Sequence, residues 1–291
     1  MGGNAKLEKK KSKESKSLAE QMAKLARKGR LTAKNADRHW LYEKSVQNAD
    51  VEVEFIDRVY AERFGRHARF LREDFCGTAN LCAEWVRLGA DRTALGVDYD
   101  EPTLQWGREN NLAPLGEDAA RITLVRDDVR RVREPQAEVL TATNFSWWGF
   151  KTRAELKEYL LNCHASLRDD GMLMMDCYGG PEAQVPQEEE REQDGFDYIW
   201  DQDTFNPITN EITCYIDFSF PDGSRMKKAF AYDWRLWSLP ETCDLLAECG
   251  FRETVVYWEG TDEDGEPDGE FQPSREGDLA PAWVAYILAF K

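Results

Sequence analysis

The residues best placed to do chemistry form the run Leu71-Arg72-Glu73-Asp74-Phe75-Cys76-Gly77-Thr78-Ala79, which reads as a strand, a turn and a helix start. Gly77 lets the backbone approach a ligand closely, and the small Ala79 permits tight contact between helix and strand. Asp98 closes the next strand-like run, 21 residues after Gly77. A carboxylate at that distance suits the two hydroxyls of a ribose, because the second strand lies beside the first in such folds. Asn144-Phe145-Ser146-Trp147 follows a later strand and offers an amide oxygen beside an aromatic face. That combination suits an amine nucleophile; equally, Asn144 can cap a strand end while the tryptophans pack. Tyr42, Trp147, Tyr178, Arg235 and Trp237 are the candidates for contact with a second substrate. Arg235 lies among Tyr232, Trp234 and Trp237, where its fork can grip a planar acid or pair with Asp233 or Glu241. The three histidines, His39, His67 and His164, have no metal-ligand spacing, and no C-x-x-C pair occurs, so no metal site is expected.

The elements that must hold these residues alternate. Strand-like runs fall at 69–75, 94–98, 122–125, 138–143 and 172–177. Helical stretches at 81–87 and 102–110, a short polar crossover, and a helix at 153–167 join them. This rhythm predicts a parallel sheet covered on both faces, doubly wound with right-handed crossovers. Alternating runs at 197–203, 211–220 and 225–234 follow an acidic, loop-like stretch at 181–195. They predict an antiparallel insertion of about three strands, placed at about 196–234. A helix at 240–249 and two strands at 254–258 and 283–290 close the chain, with an acidic Gly/Pro-rich loop between them.

In this order of motifs the chain resembles the class I S-adenosylmethionine (AdoMet) dependent methyltransferases, over roughly residues 65–180 and 235–291. Cys76-Gly77-Thr78 matches the family's D-x-G-C-G-T-G turn and puts Glu73 at its acidic position, although Asp74 is adjacent. Gly96-Val97-Asp98 matches the ribose-binding strand, and Asp127-Asp128-Val129 the segment that meets the adenine. Leu167-Arg168-Asp169-Asp170-Gly171 matches the turn before the fifth strand. Phe75 and Ala79 depart from the pattern, standing where the family has two of its three glycines. The resemblance implies a Rossmann-like, seven-stranded, mostly parallel sheet with an antiparallel last strand, an N-terminal helical extension and a small antiparallel β insertion as cap. It implies AdoMet as cofactor, held by Glu73, Gly77, Thr78, Ala79, Asp98, Tyr99, Asp128, Val129 and Asn144.

Composition narrows the partners. Residues 1–30 hold ten Lys/Arg against three Glu, so the rest of the chain is more acidic than the formal net charge of −17. Such a body repels phosphate backbones and leaves only the basic tail for a weak nucleic-acid contact. No apolar run is long enough to span a bilayer, and the Lys-rich start lacks the apolar core of a secretory signal. Seven cysteines, an odd number without paired spacing, fit reduced thiols in the cytoplasm. The expected units are a basic tail at 1–34, of which residues 1–30 should be dispensable for catalysis on a small substrate, a helical lid at 35–66 and the AdoMet-binding domain at 67–291. The expected activity is methyl transfer to an N or O nucleophile of a small molecule, one that can carry a carboxylate. An RNA or protein methyltransferase and a non-catalytic AdoMet-binding protein are the alternatives. A nicotinamide-dependent oxidoreductase is disfavoured because G-x-G-x-x-G is absent.

Overall fold

The computed structural model describes residues 17–262 and 267–291. Expectations for residues 1–16 and for the centre of the acidic loop at 263–266 lie outside the described residues. The chain runs α1 (Leu18–Ala26), α2 (Arg38–Ser45), α3 (Ala49–Phe64), β1 (Phe70–Asp74), α4 (Asn80–Arg87), β2 (Thr93–Asp98) and α5 (Glu101–Gly107). It continues through β3 (Ile122–Arg126), β4 (Ala137–Ala142), α6 (Arg153–Ser166), β5 (Leu167–Gly179), β6 (Gln187–Gln193) and β7 (Phe196–Asn206). The last elements are β8 (Glu211–Ser219), β9 (Arg225–Arg235), α7 (Leu239–Glu248), β10 (Glu253–Thr261), β11 (Pro267–Ser274) and β12 (Trp283–Phe290).

The main sheet has the order β11-β10-β12-β5-β4-β1-β2-β3. Strands β3, β2, β1, β4 and β5 are parallel, and β12 runs antiparallel between β5 and β10. The doubly wound plan is the expected one, with an eighth strand added. β11 comes from the loop between the last two expected strands and pairs antiparallel with β10. Pairing needs only backbone groups, and Pro267 and Pro273 are tolerated because this strand lies at the sheet edge. The segment 167–171, expected as a turn, is a bulge at the start of β5, where the pairing with β4 shifts register.

Helices start where their caps dictate. Thr152 with Glu155 and Ser238 with Glu241 form capping boxes that open α6 and α7. These two helices cover one sheet face, over Leu140, Leu173, Met175 and Ile287. On the other face α3 and α4 bury Val53, Ile56, Tyr60, Leu81 and Trp85 against Leu71, Val139 and Met174.

The cap is a second sheet, β6-β7-β8-β9. It has four strands rather than three, because β6 (QEEEREQ) is an exposed edge strand whose charges leave no alternation to read. Its core joins Phe196, Ile216 and Phe218 to Met22, Ala26, Leu31, Trp40 and Leu41. The expected boundaries shift accordingly. α3 belongs to the main domain, while α1 and α2 belong to the cap, so residues 18–31 of the expected tail are structural. Deleting residues 1–31 should therefore destabilise the protein by about 4 kcal/mol or more, the scale of removing two buried Met or Leu side chains. A urea titration of the truncated chain checks this; unchanged stability would show that α1 does not hold the cap.

Candidate functional site

The turn after β1 takes its shape from three left-handed residues, Phe75, Gly77 and Ala79, at φ 58°, 51° and 55°. These are the three positions where the resemblance places glycines. Phe75 and Ala79 hold the conformation at a cost of about 1–2 kcal/mol each, a strain that the surrounding packing must offset. Phe75 turns its ring onto Phe150 and Tyr159. Ala79 is fully buried as the N-cap residue of α4. Gly107 of α5 presses on this loop, since a Cβ there would lie 2.3 Å from the Thr78 carbonyl oxygen.

Asp98 ends β2 and ties the turn down. Its Oδ2 accepts the Gly77 amide at 2.9 Å and its Oδ1 accepts the Asp100 amide at 2.9 Å. Each oxygen keeps a lone pair, and burial pushes the carboxyl above the usual range. Tyr99 stands beside it 74% exposed, an unpacked aromatic face at the sheet's carboxyl edge. Thr78 donates its hydroxyl to Glu43 at 2.5 Å, and the same Glu43 oxygen accepts from Asn111 at 2.7 Å. Glu43 thereby fixes α2 of the cap to the turn.

Adjacent residues on a strand face opposite ways, and this separates Glu73 from Asp74. Asp74 is fully engaged: Arg72 contacts both of its oxygens at 2.7 and 3.1 Å, and Tyr159 donates at 3.1 Å. Glu73 accepts the Cys82 amide at the start of α4 at 3.1 Å. Burial raises it to about 8, with Glu52 and Asp98 adding repulsion.

Other candidates have moved roles. Asp128 is gripped by Arg130, which reaches both of its oxygens, so only its spare lone pairs face a ligand. Val129 is buried, and its carbonyl accepts from Arg72 and Asn162. Asn144 has φ 56° and gives its amide to Asp176 at 2.6 Å.

Of the substrate candidates, Trp147 is fully buried and donates to the Asp176 carbonyl at 2.8 Å. Trp237 is buried and donates to the Phe150 carbonyl at 3.0 Å. Arg235 stacks 3.8 Å over Trp237, pairs with Glu241 at 3.2 Å and donates to the Lys151 carbonyl at 3.2 Å. These partners hold α7 on the loop before α6 and occupy both terminal nitrogens, leaving only the buried Nε without a partner. Tyr178 packs between Phe145 and Trp148 at the seam of sheet and cap. Tyr42 of α2 is half-buried next to the ring of Phe230 at 4.8 Å.

Three acids escaped the sequence reading: Glu43, Glu52 and Asp176. Asp176 lies in β5, its carboxylate accepting the amides of Asn144 and Phe145 at 2.6 and 2.9 Å. Burial raises it to about 7. Its one signal is a lone acid inside the apolar run Met172–Cys177. Glu52 of α3 is raised to about 8 by burial and by Asp176. Strand register puts Glu73, Thr141 and Asp176 on one face, since Glu73 pairs with Thr141, Thr141 with Met174, and Asp176 lies two residues beyond Met174. All sit at the carboxyl ends of the strands, on either side of the β1/β4 boundary where strand order reverses. Open α/β sheets bind ligands there.

No protein-family model matches the sequence, and no curated protein matches it. Solved structures do match. A SAM-dependent methyltransferase from Clostridium acetobutylicum is 15% identical, with 86% of this chain and 96% of that one covered at a TM-score of 0.64. A SAM-bound amino pentose methyltransferase from Micromonospora echinaspora is 12% identical over 85% and 95%, with a TM-score of 0.59. A sugar N-methyltransferase from Streptoalloteichus sp. is 17% identical over 90% and 94%, with a TM-score of 0.56. The chain has the class I SAM-dependent methyltransferase fold.

Proposed function

We propose that the protein is an AdoMet-dependent methyltransferase acting on an N or O nucleophile of a small molecule. The observation that carries this reading is the left-handed turn locked to Asp98, with each Asp98 oxygen still able to accept a ribose hydroxyl. Asp98 would hold the ribose, Tyr99 would stack on the adenine, and Asp128 with Val129 would border its edge. Glu73 would face the methionine end, with Gly77, Thr78, Ala79 and Asn144 forming the walls. Bound there, AdoMet supplies a methyl group already activated by the sulfonium. The chain's part is to align the acceptor and exclude water, which the cap over the strand ends is placed to do. Two of the matched structures, an amino pentose methyltransferase and a sugar N-methyltransferase, agree with a small acceptor. The acidic body argues against RNA. All seven cysteines are free thiols, in keeping with a cytoplasmic protein, and among the described residues no helix is long and apolar enough to cross a membrane.

Calorimetric titration with AdoMet tests the reading. Asp98→Ala should weaken binding by about 2–3 kcal/mol, because two ribose hydroxyls lose a charged acceptor. A folded variant with wild-type affinity would remove Asp98 from the site. Binding without transfer to any small-molecule pool would favour a non-catalytic AdoMet-binding protein.

A further inference from the structure

The strongest unexplained feature is a set of buried acids with no cation. Asp176 and Asp50 act on Glu52, and Glu52 in turn acts on Glu73, so each of these charged neighbours is an acid. Among the described residues neither carboxylate forms an ion pair with a cationic side chain. Both also act on Tyr42 from the cap side and on Tyr286 from β12. Asp176 pairs in register with Tyr286, so carboxylate and ring lie side by side on the sheet face. Glu52 and Tyr42 keep accessible surface although protein encloses them, as walls of an internal chamber do. A separate observation points to a ligand: the Thr141 hydroxyl, on a residue with no exposure, has no hydrogen-bond partner. Thr141 lies beside Glu73 in register, on the face that carries Asp176.

We infer that the acceptor is an amine, taken up as its ammonium by Asp176 and Glu52 beside the rings of Tyr42 and Tyr286. This rests on the methyltransferase reading and narrows it from N or O to N. AdoMet brings a sulfonium, an ammonium and a carboxylate. Glu73 answers the ammonium and Asp98 the ribose, which leaves Glu52 and Asp176 without a partner from the cofactor. Carboxylates placed beside the sulfonium itself would stabilise the reactant and slow transfer. Placed beyond the methyl, on the acceptor side, they hold the ammonium, and Glu52, which stays ionised after Asp176 takes the proton, stabilises the charge that moves from sulfur to nitrogen. Aromatic faces attract the same cation.

The proton balance is complete without a further reagent. The ammonium gives one proton to the Asp176 carboxylate, and the freed nitrogen lone pair forms the new N–CH3 bond. The C–S pair returns to sulfur, yielding S-adenosylhomocysteine, and the methylated nitrogen then carries the positive charge. Asp176 loses its proton to water as the product leaves.

Two measurements on the full chain decide the matter. In the first, small-molecule extract is incubated with methyl-labelled AdoMet before and after acetylation of its amines. Labelled products that bind a cation exchanger and disappear on acetylation support the proposal. Products indifferent to acetylation overturn it while leaving methyl transfer intact, and absence of AdoMet binding removes both readings. The second needs no acceptor. Sinefungin carries an amine where AdoMet carries its methyl-bearing sulfonium, whereas S-adenosylhomocysteine carries a neutral sulfur. Sinefungin should bind at least about tenfold more tightly, a difference near 1.4 kcal/mol. Asp176→Asn and Glu52→Gln should each erode that preference and leave S-adenosylhomocysteine affinity within about threefold, under ~0.7 kcal/mol. Glu52 serves as the second variant because its carboxylate makes no hydrogen bond among the described residues, so its loss should not disturb folding. Equal affinity for the two ligands in the wild type would overturn the proposal.

Discussion

Replacing Arg72 by methionine should destabilise the protein by about 3–5 kcal/mol, the scale of stranding one partner of a buried ion pair. Arg72 is fully buried in β1 and is the cation that offsets Asp74, also buried. Its guanidinium also satisfies the Val132 and Val129 carbonyls at 2.7 and 2.9 Å. The single substitution strands the carboxylate, while the two carbonyls lose one donor each and keep Asn162. Arg72→Met with Asp74→Leu removes the charge as well as its partner, so much of the loss should return. Urea titrations of the two variants check this. A double variant no more stable than the single one would mean that the carbonyls, not the ion pair, dominate. AdoMet affinity of the folded double variant should match the wild type, because Asp74 faces Tyr159 and α6 rather than the site.

What the sequence could show depended on how local each feature is. The turn at Phe75–Ala79 and its link to Asp98 were legible because a short-range backbone shape needs particular residues at particular spacings. Even the two missing glycines announced themselves as departures, and the chain keeps the left-handed shape at both. Glu52 and Asp176 were not legible, because their meaning arises only when strand register and the docking of α3 bring two elements together. Trp147, Trp237 and Arg235 misled for the converse reason. An aromatic or an arginine near a strand end reads the same whether it lines a pocket or fills the core, and here hydrogen bonds to the Asp176, Phe150 and Lys151 carbonyls hold them in the packing. Strands β6 and β11 were hidden because edge strands made of charge, proline and glycine carry no alternation. The docking of α1 was hidden by lysines, although Met22 and Ala26 repeat at helical spacing toward the cap.

The ligand-free protein should lose stability as the pH rises from about 6.5 to 8. In that range Asp176, raised to about 7, and Glu52 and Glu73, raised to about 8, must give up protons inside the fold. The unfolded chain released those protons near pH 4–4.5. Between the two values the native state binds more protons than the unfolded one, so unfolding free energy falls with pH. The contribution is present below the unfolded values and is lost as the pH passes through the folded ones. His39 and His164 act in the opposite sense, since burial lowers both and their penalty grows as pH falls below about 6.5. Above pH 8 the buried thiols begin to matter, which sets the upper limit of a clean window. Within it, a decline on the order of a few kcal/mol is expected from urea titrations at successive pH values. Glu52→Gln with Asp176→Asn should flatten the profile and raise stability at pH 8, because neutral amides need no proton. A flat wild-type profile would mean that these carboxylates are already solvated or paired, and the case for a cation-binding chamber would go with it. Saturating sinefungin should flatten the same profile in the wild type, since its added ammonium would stabilise the ionised carboxylates that the empty site penalises.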